Sequence, residues 1–366
     1  MRKFFLGTAR VLAFLLVLVS AAAEATTVRV FHDVGWGNRI TLRGNKAPFS
    51  WTTGVNATWN TGNVWTYSWS DSMGDVELKP LINDATWSVG ANYVVRAGTT
   101  VDIYPFFQSR TGTLVKVNNF SSPQLGDTRT LRIFLPPSYS LNPLKRYPVL
   151  YMHDGQNLFE AATAYGGVEW RVDETINDLV NQGRMDEVIV VGVDNGGADR
   201  IYEYTPCCDP QYGGGGADVY ERFLLETVKP FVDQNYRTLT SSRNTALMGS
   251  SLGGLVSTYI GRRQPAKFGK LAGLSSSFWW NNQMLPREVE ASTVKVPVNI
   301  YIDAGTSSDG LPDTTRMRDA LVVDGYVQGK DLYYYVAQGA GHNEAAWAAR
   351  LHLPLTYLFP WQSTVY

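Results

Sequence analysis

The sequence predicts an α/β protein: a mostly parallel sheet covered by helices on both faces, preceded by a small antiparallel β-sandwich. Three observations carry this. From about residue 128 onward, apolar β-branched runs alternate with stretches of helical periodicity, the pattern of strands buried on both faces. Residues 26–108 show instead short β-type runs separated by Gly, Asn and Asp, as a sandwich does. Between the two, residues 118–127 (NNFSSPQLGD) are polar and turn-rich, which reads as a linker. With 366 residues, 44% of them apolar, the chain suits two domains better than one.

Taken in order, the first element is a leader. Arg2 and Lys3 give a positive start, residues 11–19 (VLAFLLVLV) are an apolar run, and Ala23-Glu24-Ala25 is a small-x-small cleavage pattern. These are the marks of a secretory signal peptide. The uninterrupted apolar run is well short of the roughly 20 residues that a membrane-spanning helix needs. Cleavage is expected after Ala25, with Ala23 as the rival site. The mature protein is then expected to be secreted or periplasmic, with no membrane attachment.

The sandwich is expected over 26–108, with strands near 27–31, 64–69 and 93–96. Trp36, Trp51, Trp59, Trp65, Trp69 and Trp87 all fall here. Tryptophan is usually well buried, yet an exposed indole is a flat surface for a sugar ring. Trp51, Trp59 and Trp87 are the candidates for carbohydrate binding; a structural β-unit with no ligand is the alternative. A linker is expected over 109–127 and the α/β unit over 128–366. Its strands are expected at 130–135, 148–153, 187–193, 245–248, 270–274, 298–304 and 332–337. Helices are expected at 172–182, 219–232, 253–263 and 315–323, with a last one from Asn343.

Formal net charge is −1, from 32 basic and 33 acidic residues, so nothing favours nucleic acid as a partner. Four histidines, His32, His153, His342 and His352, are too scattered to suggest a metal cluster. The two cysteines, Cys207 and Cys208, are adjacent. A strained vicinal disulfide, an intermolecular bridge and two free thiols all remain open.

Residues 249–253 read Gly-Ser-Ser-Leu-Gly, a G-x-S-x-G pattern. Its chemistry needs the central serine on a tight, strained strand-to-helix turn, with glycines leaving room for the bend. The helix that follows aims its dipole and free N–H groups at the serine. The pentapeptide alone is common in a chain with 34 glycines, so context decides. A strand is expected before it and a helix after it, making Ser251 the nucleophile of an α/β-hydrolase rather than Ser250. A serine nucleophile needs a base oriented by a carboxylate, and here the chain order is Ser, acid, His. His342, in Gly-Ala-Gly-His-Asn after the last strand, is the expected base. For the acid, Asp309 lies in a loop past a strand end and is preferred to Asp303, which lies inside the strand. The oxyanion hole is expected from the N–H of Leu252 and a second N–H at Gly155 or Gln156.

At this point the chain resembles a known family. YPVLYMHDGQNLF (147–159), EWRVDE (169–174), EYTP (203–206), ETVKPFVDQNYRT (226–238), GSSLGG and GAGHNEAAW look like an esterase family related to esterase D, enterochelin esterase, and feruloyl or acetylxylan carbohydrate esterases. The resemblance covers about residues 113–361. It implies an α/β-hydrolase fold and ester hydrolysis needing no cofactor and no metal, with Ser251, Asp309 and His342 in the triad positions. The loop 204–216 (YTPCCDPQYGGGG) departs from the family pattern. Residues 26–108 more loosely resemble starch-binding-type carbohydrate-binding modules. Together these imply a secreted serine esterase whose ester substrate is carbohydrate-linked, of the feruloyl or acetyl type. A siderophore or polyester esterase, an acyltransferase, and a carbohydrate-binding protein with an inactive hydrolase unit are the alternatives. Oligomeric state is not encoded in any feature of the sequence.

Overall fold

A computed structural model describes residues 25–362. All of the expected leader except Ala25 therefore lies outside the described residues. The second unit is built on an eight-stranded sheet, here labelled in chain order: β1 (Thr113–Ser122), β2 (Asp127–Leu135), β3 (Val149–His153), β4 (Ile189–Val193), β5 (Thr245–Ser250), β6 (Lys270–Leu274), β7 (Asn299–Gly305) and β8 (Leu332–Ala337). Their spatial order is β1-β2-β4-β3-β5-β6-β7-β8. β1 and β2 are antiparallel to their neighbours and every later pairing is parallel.

The sequence logic of these strands is visible in their packing. In β3, Val149 and Tyr151 enter the core on one face of the sheet, while Leu150 and Met152 enter the core on the other. Both faces are covered, so the run is apolar at every position, as parallel strands require. β1 obeys a different rule. It is an edge strand with mostly exposed or half-exposed residues, so its sequence is polar and reads as the linker expected over 109–127. The turn that follows closes with Gly126 at φ 79°, and the polar stretch is thus mostly the tip of a β-hairpin.

The helical layers follow expectation in the main, but the short helix Arg200–Tyr204 is additional and the helix expected from Asn343 is two, Glu344–Arg350 and His352–Leu358. The helix expected over 219–232 is part of a longer helical stretch running through Ala217–Arg222, Phe223–Val228 and Lys229–Asn235, with a π-helical turn in the middle. The helix expected from 315 begins at Leu311, with Pro312 in its first turn. A further helix, Trp280–Glu290, is interrupted in its first turn, where Asn281, Asn282 and Gln283 are left-handed. Three left-handed residues and an internal proline hide it from helical periodicity.

The front unit is two small sheets. One runs Thr58–Asn60, Val64–Ser70, Ala25–Phe31, Thr100–Ile103; the other runs Val55–Asn56, Ile40–Gly44, Val76–Ile82, Thr86–Trp87, with Tyr93–Val95 also pairing to Val76–Ile82. The pairings are antiparallel apart from Ala25–Phe31 with Thr100–Ile103, which is parallel. Val28, Val30, Ile40, Leu42, Val76, Leu78, Trp65 and Trp69 fill the space between the sheets. The far end of the chain fastens this unit down. The Trp361 ring packs on Tyr93 at 5.3 Å and its Nε1 donates to Asn92 O at 3.0 Å. Gln362 Oε1 accepts from Val94 N at 2.8 Å, while its own N–H reaches Asp186 Oδ1 in the second unit at 2.6 Å.

Candidate active site

β5 ends at Ser250, and Ser251 then turns the chain into the helix Leu252–Arg263. Ser251 has φ 53° and ψ −123°, a backbone state that only a tightly constrained turn imposes on a residue with a Cβ. Of the flanking glycines, Gly249 is required by contact: a Cβ there would lie 2.6 Å from the carbonyl carbon of Gly253. The bend places Ser251 at the helix N-terminus, where unpaired N–H groups and the helix dipole favour negative charge.

The hydrogen bond of Ser251 Oγ runs to Ser277 Oγ at 3.3 Å, and Ser277 N donates to Ser251 O at 2.9 Å. His342 lines the same cleft as Ser251, a space of about 460 Å³ also bordered by Asp154, Gln156, Asn195, Arg200, Glu344 and Trp347. The His342 ring meets Trp347 edge to face at 5.1 Å. Its Nδ1 is 2.7 Å from Asp309 Oδ1. With Nδ1–H donating to the carboxylate, Nε2 is left as the proton acceptor.

Asp309 is buried and fully engaged. Its Oδ2 accepts from Ser275 Oγ at 2.6 Å and from Gly305 N at 2.5 Å. Burial pushes its carboxyl upward, but the hydrogen bonds from His342, Ser275 and Gly305 outweigh this and hold it below the usual carboxylate range. Asp303, the other carboxylate weighed from sequence, has a different environment. It accepts from Arg350 Nε at 2.9 Å and Nη2 at 3.0 Å, from Tyr301 OH at 2.7 Å and from Ser275 N at 3.1 Å. It bonds Arg350 in the interior, and its hydrogen bonds do not include His342. The sequence preference for the loop carboxylate thus matches the one that reaches the imidazole.

Of the oxyanion candidates, Leu252 is the first residue of the helix after Ser251, and Gln156 lines the cleft. Gly155 sits below, packed so closely on the end of β4 that a Cβ there would lie 2.6 Å from Asp194 Oδ1. Asp154, in the left-handed region at φ 56°, anchors the loop. Its carboxylate takes Arg200 Nε at 2.7 Å and Nη2 at 2.8 Å, plus Asn195 Nδ2 at 2.6 Å. These charge-assisted bonds hold Asp154 below the ordinary range although burial opposes them. His153 is buried behind the turn, with Nδ1 3.0 Å from Tyr220 OH. Burial drives its pKa down to about 4, so the ring is neutral.

Sequence reasoning did not find Arg200, Asn195, Ser275, Ser277 or Trp347. Trp347 stands five residues after His342, inside a stretch already singled out. Arg200 and Ser275 carry no local signal, because their roles come from pairing over long sequence separations. The three tryptophan candidates divide. Trp51 and Trp87 are both partly exposed and their rings lie 6.4 Å apart, with Arg43 over Trp87 at 5.2 Å. Trp59, also exposed, sits on the edge strand Thr58–Asn60 of the other sheet. Cys207 and Cys208 are free thiols, both exposed.

The model of a family described as "Putative esterase" matches residues 122–357. YbbA of Bacillus subtilis (strain 168), an uncharacterized protein, is 24% identical over 250 residues, covering 63% of this chain and 92% of its own. An endo-1,4-beta-xylanase/feruloyl esterase of Xylanibacter ruminicola is 26% identical over 266 residues, covering 70% of this chain and 33% of its own. A crystal structure of the enterobactin esterase FES from Shigella flexneri, in the presence of enterobactin, superposes with a TM-score of 0.56 at 15% identity over 87% of each chain. That last likeness is one of fold, and it extends beyond the family match.

Proposed function

The chain belongs to this esterase family, and from that premise we propose that it hydrolyses carbohydrate-linked carboxylic esters, of the feruloyl or acetyl type, outside the cytoplasm. The observation that carries the catalytic reading is the Asp309–His342 hydrogen bond of 2.7 Å beside a serine on a strained turn in the same cleft. His342 Nε2 takes the proton of Ser251 as Oγ attacks the ester carbonyl, and Asp309 stabilises the imidazolium that forms. The oxyanion rests on the N–H of Leu252 and a second N–H from the Gly155–Gln156 turn. His342 then protonates the departing alcohol and activates a water to release the acid. In the structure Ser251 Oγ is paired with Ser277, so the catalytic hydrogen bond from Ser251 to His342 is one that forms on substrate binding, as such bonds commonly do.

The carbohydrate part of the proposal rests on the polar lining of the cleft and on the paired indoles of Trp51 and Trp87. It is also supported by the xylanase/feruloyl esterase relative. A siderophore ester is the second reading, favoured by the fold likeness to the enterobactin esterase. The charge of the cleft argues for the first. Among the described residues lining it, the one arginine is Arg200, and Asp154 already neutralises it. A neutral, hydroxyl-rich alcohol suits this lining better than a multiply anionic one.

The test is a panel of esters given to the wild type and to Ser251→Ala: methyl ferulate, acetylated xylan and a catecholate siderophore. The proposal expects turnover of one of the first two, reduced at least about a thousandfold in the variant. Turnover confined to the siderophore would replace the substrate class. Equal rates for both proteins would remove Ser251 from the chemistry.

A further inference from the structure

The loop 205–216 has an unusual sequence, and the structure explains its glycines. Gly213, Gly214 and Gly215 have φ of 72°, 84° and 103°, which side-chain-bearing residues rarely adopt. A Cβ on Gly214 would lie 2.1 Å from Thr205 Oγ1 and 2.8 Å from the Trp280 ring. The loop is closed at its base, where Gly215 N donates to Thr205 Oγ1 at 3.1 Å and Gly216 N to Tyr202 O at 2.8 Å. It is also fastened to the start of the helix Trp280–Glu290. The buried Trp280 donates from Nε1 to Pro206 O at 3.1 Å and Cys207 O at 3.2 Å, and Asp209 Oδ2 accepts from Asn281 N at 3.2 Å.

The product of this fastening is a pair of rings at the surface. Tyr212 and Trp279 meet edge to face at 5.7 Å, and they are 50% and 41% exposed. Trp279 stands two residues after Ser277, whose hydroxyl touches Ser251, so no more than about 7 Å of backbone separates them. The two flanks of Ser251 therefore differ. One is the polar cleft with Asp154, Arg200, Asn195, Glu344 and His342. The other leads through Ser277 to two exposed rings held by a buried scaffold.

We infer that Tyr212 and Trp279 form the seat for an aromatic ring in the acyl half of the ester, and that the alcohol half occupies the polar cleft. The assignment of halves follows from the proton path. His342 must protonate the departing alcohol, so the alcohol lies on the His342 flank, and the acyl group lies on the other. Ring edges and faces exposed together suit an aryl group, which gains edge-to-face and offset contacts that an alkyl chain cannot make. This inference rests on the reading of Ser251 as an acyl-enzyme nucleophile, and its test is chosen to separate the two.

The experiment compares kcat/KM for methyl ferulate and methyl butyrate, which share their alcohol, in the wild type, Trp279→Ala, Tyr212→Ala and Trp279→Phe. The ratio of ferulate to butyrate is expected to fall about tenfold in each alanine variant and to recover in part in Trp279→Phe. Trp36→Ala, an exposed tryptophan of the front unit, serves as the control and leaves the ratio unchanged. If the wild type hydrolyses both esters and the alanine variants keep its ratio, the aromatic seat is wrong while Ser251 keeps its role. If the wild type hydrolyses methyl butyrate alone, the aryl substrate and the seat fall together.

Discussion

Ser275 Oγ donates a hydrogen bond to Asp309 Oδ2 at 2.6 Å, and itself accepts from Arg350 Nη2 at 2.7 Å and Trp347 Nε1 at 2.9 Å. One small side chain therefore joins the carboxylate behind His342, the tryptophan beside His342 and the buried Arg350–Asp303 pair. Replacing Ser275 with Ala leaves two buried donors without this acceptor. Stability is expected to fall by about 1–3 kcal/mol. Loss of alignment at Asp309 is expected to lower kcat roughly tenfold with KM little changed. Urea unfolding and steady-state kinetics check both; an unchanged kcat would show that Asp309 is held without Ser275.

The two carboxylates are expected to fail in different ways. Asp309→Asn is expected to reduce kcat by roughly ten thousandfold, because the imidazole loses its orienting partner, while the fold persists. Asp303→Ala strands Arg350 in the interior and is expected to cost roughly 3–5 kcal/mol, read as a lower urea midpoint. A stable, inactive Asp303→Ala beside an active Asp309→Asn would reverse the assignment.

The buried His153 makes stability depend on pH. Its pKa falls from an ordinary value near 6.5 to about 4 in the folded chain because burial penalises the charged ring. The unfolded chain therefore binds the proton more readily. The contribution is fully present above pH 6.5 and is lost as pH drops from there toward 4, by up to roughly 3 kcal/mol. Urea midpoints at pH 7.5 and 4.5 test this. His153→Gln, whatever its own cost, is expected to flatten the dependence over that window; an equally steep loss in the variant would place its origin elsewhere.

Trp51 and Trp87 give the front unit its test. If their paired rings hold sugar, the double alanine variant is expected to lose at least about tenfold in retention on insoluble xylan, with turnover of a small soluble ester preserved. Equal retention of the wild type and the variant on xylan, starch and cellulose would remove carbohydrate from this surface.

The α/β layering was legible because strands such as β3 and β5 are buried on both faces and must be apolar throughout. The edge strand β1 was not, since a strand exposed along its length is free to be polar and then looks like a linker. The turn at Ser251 could be read from its glycines because close backbone approach leaves no room for a Cβ. The pairing of His342 with Asp309 could be anticipated from chain order and loop position. Arg200 and Ser275 could not, because hydrogen bonds between distant segments impose no local periodicity. The helix Trp280–Glu290 was hidden for a related reason: its first residues bend to meet the 205–216 loop, and long-range packing overrides local propensity.

The contacts of Trp361 and Gln362 with residues 92–94 join segments 268 and 269 positions apart. Closing so long a loop carries an entropic cost that nearby contacts do not. The seam is therefore expected to form after the local sheets of each unit, and to open before them when the protein is destabilised.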